Sequence, residues 1–215
     1  MFNGFRISVI IPAYNEERRI GEVLKNIPNF VDEIIVIDDG STDKTSEIAK
    51  AFGAKVIRLD KNSGKGAALR EGIKIAKGDV IVFMDADGQH DPKEISKLLE
   101  PIVEGRADFV IGKRIVTKGE RPLIRKLSNL ITSTLISLKL GENIEDTQSG
   151  FRAIRKDFVP KIESNRYEVE TEVLIKAKKL GARIIEVPIS TRYDLETGHF
   201  RFVDIIRFLK ILIRS

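Results

Sequence analysis

The chain contains no cysteine and only two histidines among its 215 residues. The first absence excludes disulfides, thiolate nucleophiles and zinc–thiolate centres, and the second a histidine-rich metal site. No stretch reaches the roughly 18–20 uninterrupted apolar residues that a membrane span requires. The N-terminus lacks a secretory-signal pattern, because residues 5–12 already read as a core strand. No early basic patch is interleaved with aromatics, so nucleic acid is disfavoured as a partner although the net charge is +5. That positive balance still leaves anionic lipid and phosphorylated substrates open. With 42% hydrophobic and 32% charged residues, the composition predicts one globular domain in water, or one domain with an extension.

The most informative stretch present is VIVFMDADGQHDP at positions 80–92. Val80 to Met84 reads as a strand buried on both faces, as in a parallel sheet. Parallel sheets place ligands beyond the carboxyl ends of their strands, where Asp85 and Asp87 would stand. No Lys or Arg adjoins them in sequence. Two carboxylates so close repel unless a positive charge lies between them, and Mg2+ or Mn2+ shared with substrate phosphates meets that need. The plain alternative is a solvated loop or a helix cap. Asp91-Pro92 fits that alternative, with Asp91 as N-cap and Pro92 opening a helix over 93–103. The chemistry is therefore assigned to Asp85, Asp87 and Gln89.

The first half alternates strands and helices. Strands are expected at 6–12, 33–38, 55–59, 79–84 and 108–111, and helices at 16–27, 42–52 and 64–76, with Ser41 or Thr42 near the second N-cap. Repeated βα units predict an open, mostly parallel, doubly wound sheet. In the second half, helices are expected at 121–140 and 169–180, and strands at 151–155, 183–188 and 189–193. A polar break over 194–198 precedes a helix over 200–213 with an apolar face and a basic flank. Such a helix either lies in a membrane interface or packs on the sheet or in a dimer. No linker divides the chain into two independent domains; one domain is expected at 1–193, with an extension at 194–215.

Further strand ends are polar: PAYNEE at 12–17 and DDGSTD at 38–43. Either alone is ordinary turn chemistry, but three acidic ends on one rim suit a metal, a ribose diol and a base edge. NSGKGAA at 62–68 lacks P-loop spacing and the third glycine of the dinucleotide pattern, which leaves a glycine-rich helix entry able to favour an anion.

VIIPAYNEE (9–17), IIVIDDGSTD (34–43), NSGKGAALREG (62–72) and FMDADGQHDP (83–92), in this order, resemble the nucleotide-sugar half of family 2 glycosyltransferases with the GT-A fold. DTQSGFR (146–152), YEVETEVL (167–174) and EVPIS (186–190) resemble the polyprenyl-phosphate branch, which includes dolichyl-phosphate mannose and glucose synthases. The likeness runs from about residue 6 to 193. It implies that Pro12, Ala13, Tyr14 and Glu16 contact base and ribose, that Asp39 reads the base, and that Lys65 and Ala86 belong to the donor site. It implies metal and ribose roles for Asp85 and Asp87, with Gln89 as a further metal ligand. Arg114, Arg125 and Arg192 correspond to basic positions near the phosphates or acceptor; the plain reading of each is a surface ion pair. Glu170 and Glu172 fall where relatives acting on hydroxyl acceptors keep a catalytic base.

The expected activity is inverting transfer of a hexose (mannose or glucose) from a GDP- or UDP-linked donor to a polyprenyl or dolichyl phosphate. It would use Mg2+ or Mn2+ and proceed peripherally at the cytoplasmic face of a membrane. A hydroxyl acceptor on the same fold is one alternative, and a non-catalytic nucleotide-sugar-binding module another.

Overall fold

A computed structural model describes residues 1–120, 123–166 and 168–193, apart from the side chains of Ile124 and Arg125. The expected terminal helix at 200–213, the polar break before it and the extension at 194–215 lie outside the described residues. The chain order is β1 (Ile7–Ala13), α1 (Ile20–Lys25), β2 (Glu33–Asp38), α2 (Thr45–Ala51), β3 (Lys55–Arg58), α3 (Lys65–Ile75) and β4 (Val80–Phe83). Then follow α4 (Ile95–Val103), β5 (Phe109–Lys118), α5 (Leu123–Leu140), β6 (Arg152–Arg155), α6 (Val169–Lys179) and β7 (Ile184–Arg192).

The seven strands form one sheet in the order β3-β2-β1-β4-β6-β5-β7. β1, β2, β3 and β4 are mutually parallel where they pair, and β7 runs parallel to β5. β6 alone is antiparallel to both its neighbours, β4 and β5. Successive side chains of a strand point to opposite faces. Ile7, Val9 and Ile11 therefore join one core with Val23 and Leu24 of α1 and Leu98 of α4. Ile10, Ile35 and Ile81 join the other with Leu69 of α3, Ile136 of α5 and Val173 of α6. Helices cover both faces, which is why the central strands are near-continuous apolar runs.

Several boundaries differ from expectation for local reasons. The helix expected at 16–27 is regular only over Ile20–Lys25. The N–H groups of Asn15, Glu16 and Glu17 go instead to side chains of Ser41, Thr45 and Asp43. Neither Ser41 nor Thr42 caps α2, whose N-cap position is Lys44; Asp43 Oδ1 accepts from Thr45 N–H at 3.0 Å. Asp91 does cap as expected, accepting from Lys93 N–H at 3.0 Å, with Pro92 opening a 3-10 turn ahead of α4. The strand expected at 108–111 continues to Lys118, and the two pieces expected at 183–193 are one strand.

Candidate active site

β1, β2 and β4 are parallel and in register, with Ala13 opposite Asp38 and Ile10 opposite Phe83. Their carboxyl ends therefore open on one rim. A cleft of about 330 Å3 lies there, lined by Pro12, Ala13, Tyr14, Glu16, Asp39, Asn62, Gly64, Lys65, Asp85, Ala86, Asp87 and Arg166. All eight residues expected to hold the donor are in that lining, together with Asp87. Tyr14 stands at the mouth with 44% of its surface exposed. Asp38 does not face the cleft; it is fully buried, accepting from Ser41 N–H and Ser46 Oγ. Asp39 beside it accepts from the N–H groups of Ser63 and Gly64, each at 2.8 Å, and so ties β2 to the entry of α3.

That entry is glycine-rich because of what packs on it. Gly64 has φ +97°, and a Cβ on Gly64 or Gly66 would collide with the backbone of Asn165 or Ser164. Gly66 N–H donates to Asn165 O at 2.8 Å. The 163–166 segment thus seals one wall of the cleft and brings Arg166 into the lining, a residue the sequence reading missed. Its only sequence signal is a basic side chain ahead of the acidic turn of α6.

Asp85 is not left unneutralised. Lys65 Nζ pairs with Asp85 and also with Glu170 Oε1, the latter at 2.7 Å. Burial alone would raise the Asp85 carboxyl, but the Lys65 charge and hydrogen bond outweigh it and hold the group below its usual range. Lys65 is raised in turn, because the two carboxylates more than offset its burial. Gly150 passes against this pair so closely that a Cβ there would strike Asp85 and Lys65. The cation expected between Asp85 and Asp87 is therefore met on the Asp85 side by a lysine from α3.

Asp87 has no such partner. Burial, and then the charge of Asp85, push its carboxyl up to about 6. Its Oδ1 accepts from Gln89 N–H at 3.0 Å. The side-chain nitrogen of Gln89 is buried with no hydrogen-bond partner. The oxygen and nitrogen of such an amide are distinguished only by their partners, so this end of Gln89 also suits an oxygen ligand. Among the described residues no group of three or more Asp, Glu or His is arranged to hold a metal by itself. Asp87 with Gln89 fits a hard divalent cation that takes its remaining oxygens from substrate phosphates and water. His90, next in sequence, stacks on Phe151 at 5.4 Å, and burial lowers it to about 4, so it is neutral at pH 7.

The residues expected around the acceptor separate. Arg114 forms a two-pronged pair with Asp146 at 2.7 and 2.6 Å and is buried by it. The pair ties Arg114 to the 146–150 segment. Glu172 lines no part of the cleft. Its oxygens accept from Glu163 N–H and Ser164 N–H at 2.8 Å and from Lys176 Nζ at 2.6 Å, which makes it the clasp of the 163–164 turn. Glu170 adjoins the cleft through Lys65, with its second carboxylate oxygen buried and unpartnered. Arg192 lies at the end of β7, where its N–H donates to Gln89 O at 3.0 Å. The Arg125 side chain lies outside the described residues.

Arg152 is a second residue whose part the sequence reading missed. Its guanidinium is fully buried and donates to the carbonyls of Ser149, Glu170 and Thr147 at 2.5–2.6 Å. Burial lowers it to about 10. It stitches the 147–150 segment to the start of α6, which fixes Gly150 and Glu170 around Lys65. Its place in DTQSGFR marked it as part of a motif, but nothing local distinguished a buried arginine from an exposed one.

Sequence and structure comparisons agree with this geometry. The profile of the family described as glycosyl transferase family 2 matches residues 8–162. The chain is 39% identical over 215 residues to a UDP-N-acetylglucosamine–dolichyl-phosphate N-acetylglucosaminyltransferase of Methanococcus voltae, covering 87% of this chain and 86% of that one. It is 40% identical over 200 residues to a dolichol-phosphate mannosyltransferase of Pyrococcus furiosus, covering 86% of this chain and 56% of that protein. Among solved structures, glucosyl-3-phosphoglycerate synthase from Mycobacterium tuberculosis in complex with Mn2+, uridine diphosphate and glucosyl-3-phosphoglycerate superposes with a TM-score of 0.79 at 26% identity, over 98% of this chain and 80% of that one. With the family profile matching residues 8–162 and the superposition covering 98% of the chain, the chain belongs to glycosyl transferase family 2 and is a glycosyltransferase of the GT-A fold.

Proposed function

We propose that the protein transfers a hexose, mannose or glucose, from a GDP- or UDP-linked donor to a polyprenyl (dolichyl-type) phosphate at the cytoplasmic face of a membrane, with inversion. The observation that carries this reading is the engagement of both candidate bases. Glu172 is consumed by the 163–164 turn and Lys176, and Glu170 is bridged to Lys65. A hydroxyl acceptor needs its proton removed as it attacks. A lipid phosphate is already ionised at neutral pH and needs none removed. The M. voltae and P. furiosus relatives are both named for dolichyl-linked acceptors, which supports the same choice.

In this reading Tyr14 and Asp39 flank the nucleoside, and Asp87 with Gln89 holds Mg2+ or Mn2+. The bound cation supplies Lewis-acid neutralisation of the departing diphosphate. Lys65 keeps Asp85 ionised and oriented. Arg166, in the cleft wall, offers a guanidinium that pairs well with phosphate oxygens.

A hydroxyl acceptor is the second reading, favoured by the soluble glucosyl-3-phosphoglycerate bound to the M. tuberculosis neighbour and by the unpartnered second oxygen of Glu170. The test is transfer of radiolabelled sugar into an organic-extractable prenyl phosphate against transfer to a water-soluble acceptor. Label in the organic phase is expected; label in the aqueous product alone would sink the lipid reading.

A further inference from the structure

The loop that carries Asp87 and Gln89 has Gly88 between them, at φ +71°. Glycine takes that conformation freely and restrains nothing around it, so the loop must be held from elsewhere. Gln89 is held at both of its backbone polar groups. Its N–H donates to Asp87 Oδ1 at 3.0 Å, and its carbonyl accepts from Arg192 N–H at 3.0 Å. Its side-chain nitrogen, among the described residues, is buried without a partner.

The bond from Arg192 belongs to a longer seam. β7 ends the sheet, with β5 on its one paired side. An outer strand leaves alternate N–H groups open along its free edge. At the end of β7 the loop takes them. Ser190 N–H donates to Glu94 Oε2 at 2.7 Å, and Ser190 Oγ donates to Glu94 Oε1 at 3.2 Å. Two residues on, Arg192 N–H reaches Gln89. Between them Thr191 bridges to His90, with Thr191 Oγ1 3.4 Å from His90 Nδ1.

Glu94 is the strongest member of this seam. It is buried at the end of the 3-10 turn that Pro92 opens, and Lys97 Nζ pairs with its Oε1 at 2.6 Å. A carboxylate accepting a backbone N–H makes a bond about twice as strong as a neutral pair. The order of contacts runs from Glu94 through Ser190 and the end of β7 to Arg192 N–H, then to the Gln89 backbone, and from Gln89 N–H to the Asp87 carboxylate.

We propose that Glu94 is a positioning residue for the cation: by clamping Ser190 it holds the end of β7 against the 89–90 turn, and so aims both Asp87 and Gln89. Glu94 touches neither cation nor substrate. The proposal deepens the reading of Asp87 and Gln89 as cation ligands and rests on it. Residues that orient metal ligands from behind typically carry about 10–100-fold in metal affinity.

The readout is the Mn2+ concentration that gives half of the melting-temperature rise produced by a saturating nucleoside diphosphate, GDP or UDP, whichever shifts the parent more. It needs neither turnover nor acceptor. Glu94→Ala should raise that midpoint by about tenfold or more. Glu94→Gln keeps an oxygen for the Ser190 N–H and loses the charge that Lys97 pairs with, so its midpoint should stay within about threefold of the parent. Thr191→Val keeps the branched shape and removes the hydroxyl facing His90; it should raise the midpoint by about threefold, and it carries the test if Glu94→Ala does not fold. The plain alternative is that Glu94 merely joins the start of α4 to β7. Glu94→Ala would then melt lower in EDTA with its Mn2+ midpoint unmoved, which overturns the proposal. Equal rises in Glu94→Ala and Glu94→Gln also overturn it, by tracing the effect to Lys97. An unmoved Thr191→Val midpoint, should Glu94→Ala not fold, does the same. Asp87→Asn separates the two levels. If it abolishes the Mn2+ dependence while Glu94→Ala leaves the midpoint in place, the clamp fails and the cation reading stands. If the parent shifts equally in Mn2+ and in EDTA, the cation reading fails and takes the clamp with it.

Discussion

Burial raises the carboxyl of Asp87 to about 6 and lowers the imidazole of His90 to about 4. The two act oppositely on stability. Between about pH 4 and 6 the folded protein holds the Asp87 proton that the unfolded chain has lost, so this group makes stability fall as pH rises. Over about pH 4–6.5 the unfolded chain holds a His90 proton that the folded protein lacks, so His90 makes stability rise with pH. Asp87→Asn removes the first effect and leaves the second. The variant is expected to melt higher than the parent at pH 7.5 in chelator, to lose melting temperature more steeply towards pH 4.5, and to lose cation-dependent donor binding; melting curves across pH and a donor titration check all three. Lys65 sits between Asp85 and Glu170 with 13% of its side chain exposed. Lys65→Met should cost about 3 kcal/mol by stranding the buried Glu170 carboxylate beside the partly exposed Asp85. Adding Glu170→Gln should recover part of that loss in urea unfolding, because the two sites are directly coupled. The acidic rim was legible from sequence because each acid follows an apolar run. Lys65 was legible only as part of a glycine-rich entry, because its partners lie 20 and 105 positions away and nothing local announces either.

At the scale of elements, β1, β2 and β4 were legible because both their faces are buried, which leaves an unbroken apolar run. The outer half of β5 was not. Residues Ile115 to Lys118 are exposed and pair with β7 alone, so no apolar periodicity marks them. The start of α1 was overestimated because its expected first N–H groups are taken by side chains of the 41–45 loop, a tertiary contact that overrides helix pattern. Glu172 and Arg114 show how tertiary partners escape the sequence: motif position suggested a base and a phosphate contact, and neither the Glu172 bonds to the 163–164 turn nor the Arg114 pair with Asp146 had a local signal. Glu172→Gln is expected to weaken the 163–164 turn and lower stability by about 1–3 kcal/mol through lost charge-assisted hydrogen bonds. Turnover should fall mainly through a looser cleft wall, seen as a larger change in KM than in kcat. A drop in kcat of about a hundredfold or more at unchanged melting temperature would restore Glu172 as a base.

At the scale of the molecule, the donor is the property easiest to read out. A ligand bound only to the native state at 100 times its Kd stabilises by about 2.7 kcal/mol. For a chain of this size each kcal/mol is about 2–4 °C. GDP-mannose or UDP-glucose is therefore expected to raise Tm by roughly 5–10 °C with Mn2+ present and by much less in EDTA; equal shifts in both would remove the cation from the donor site. The mixed sheet has another consequence. β6 lies between β4 and β5, so the inner flank of Val80–Phe83 stays bare until residues 152–155 arrive. At 5–20 residues per second the ribosome needs about 4–15 s to supply them. Throughout that interval four consecutive apolar residues present an open ladder to any neighbouring nascent chain. The demand on chaperones therefore falls in the middle of translation, before α6 has been made.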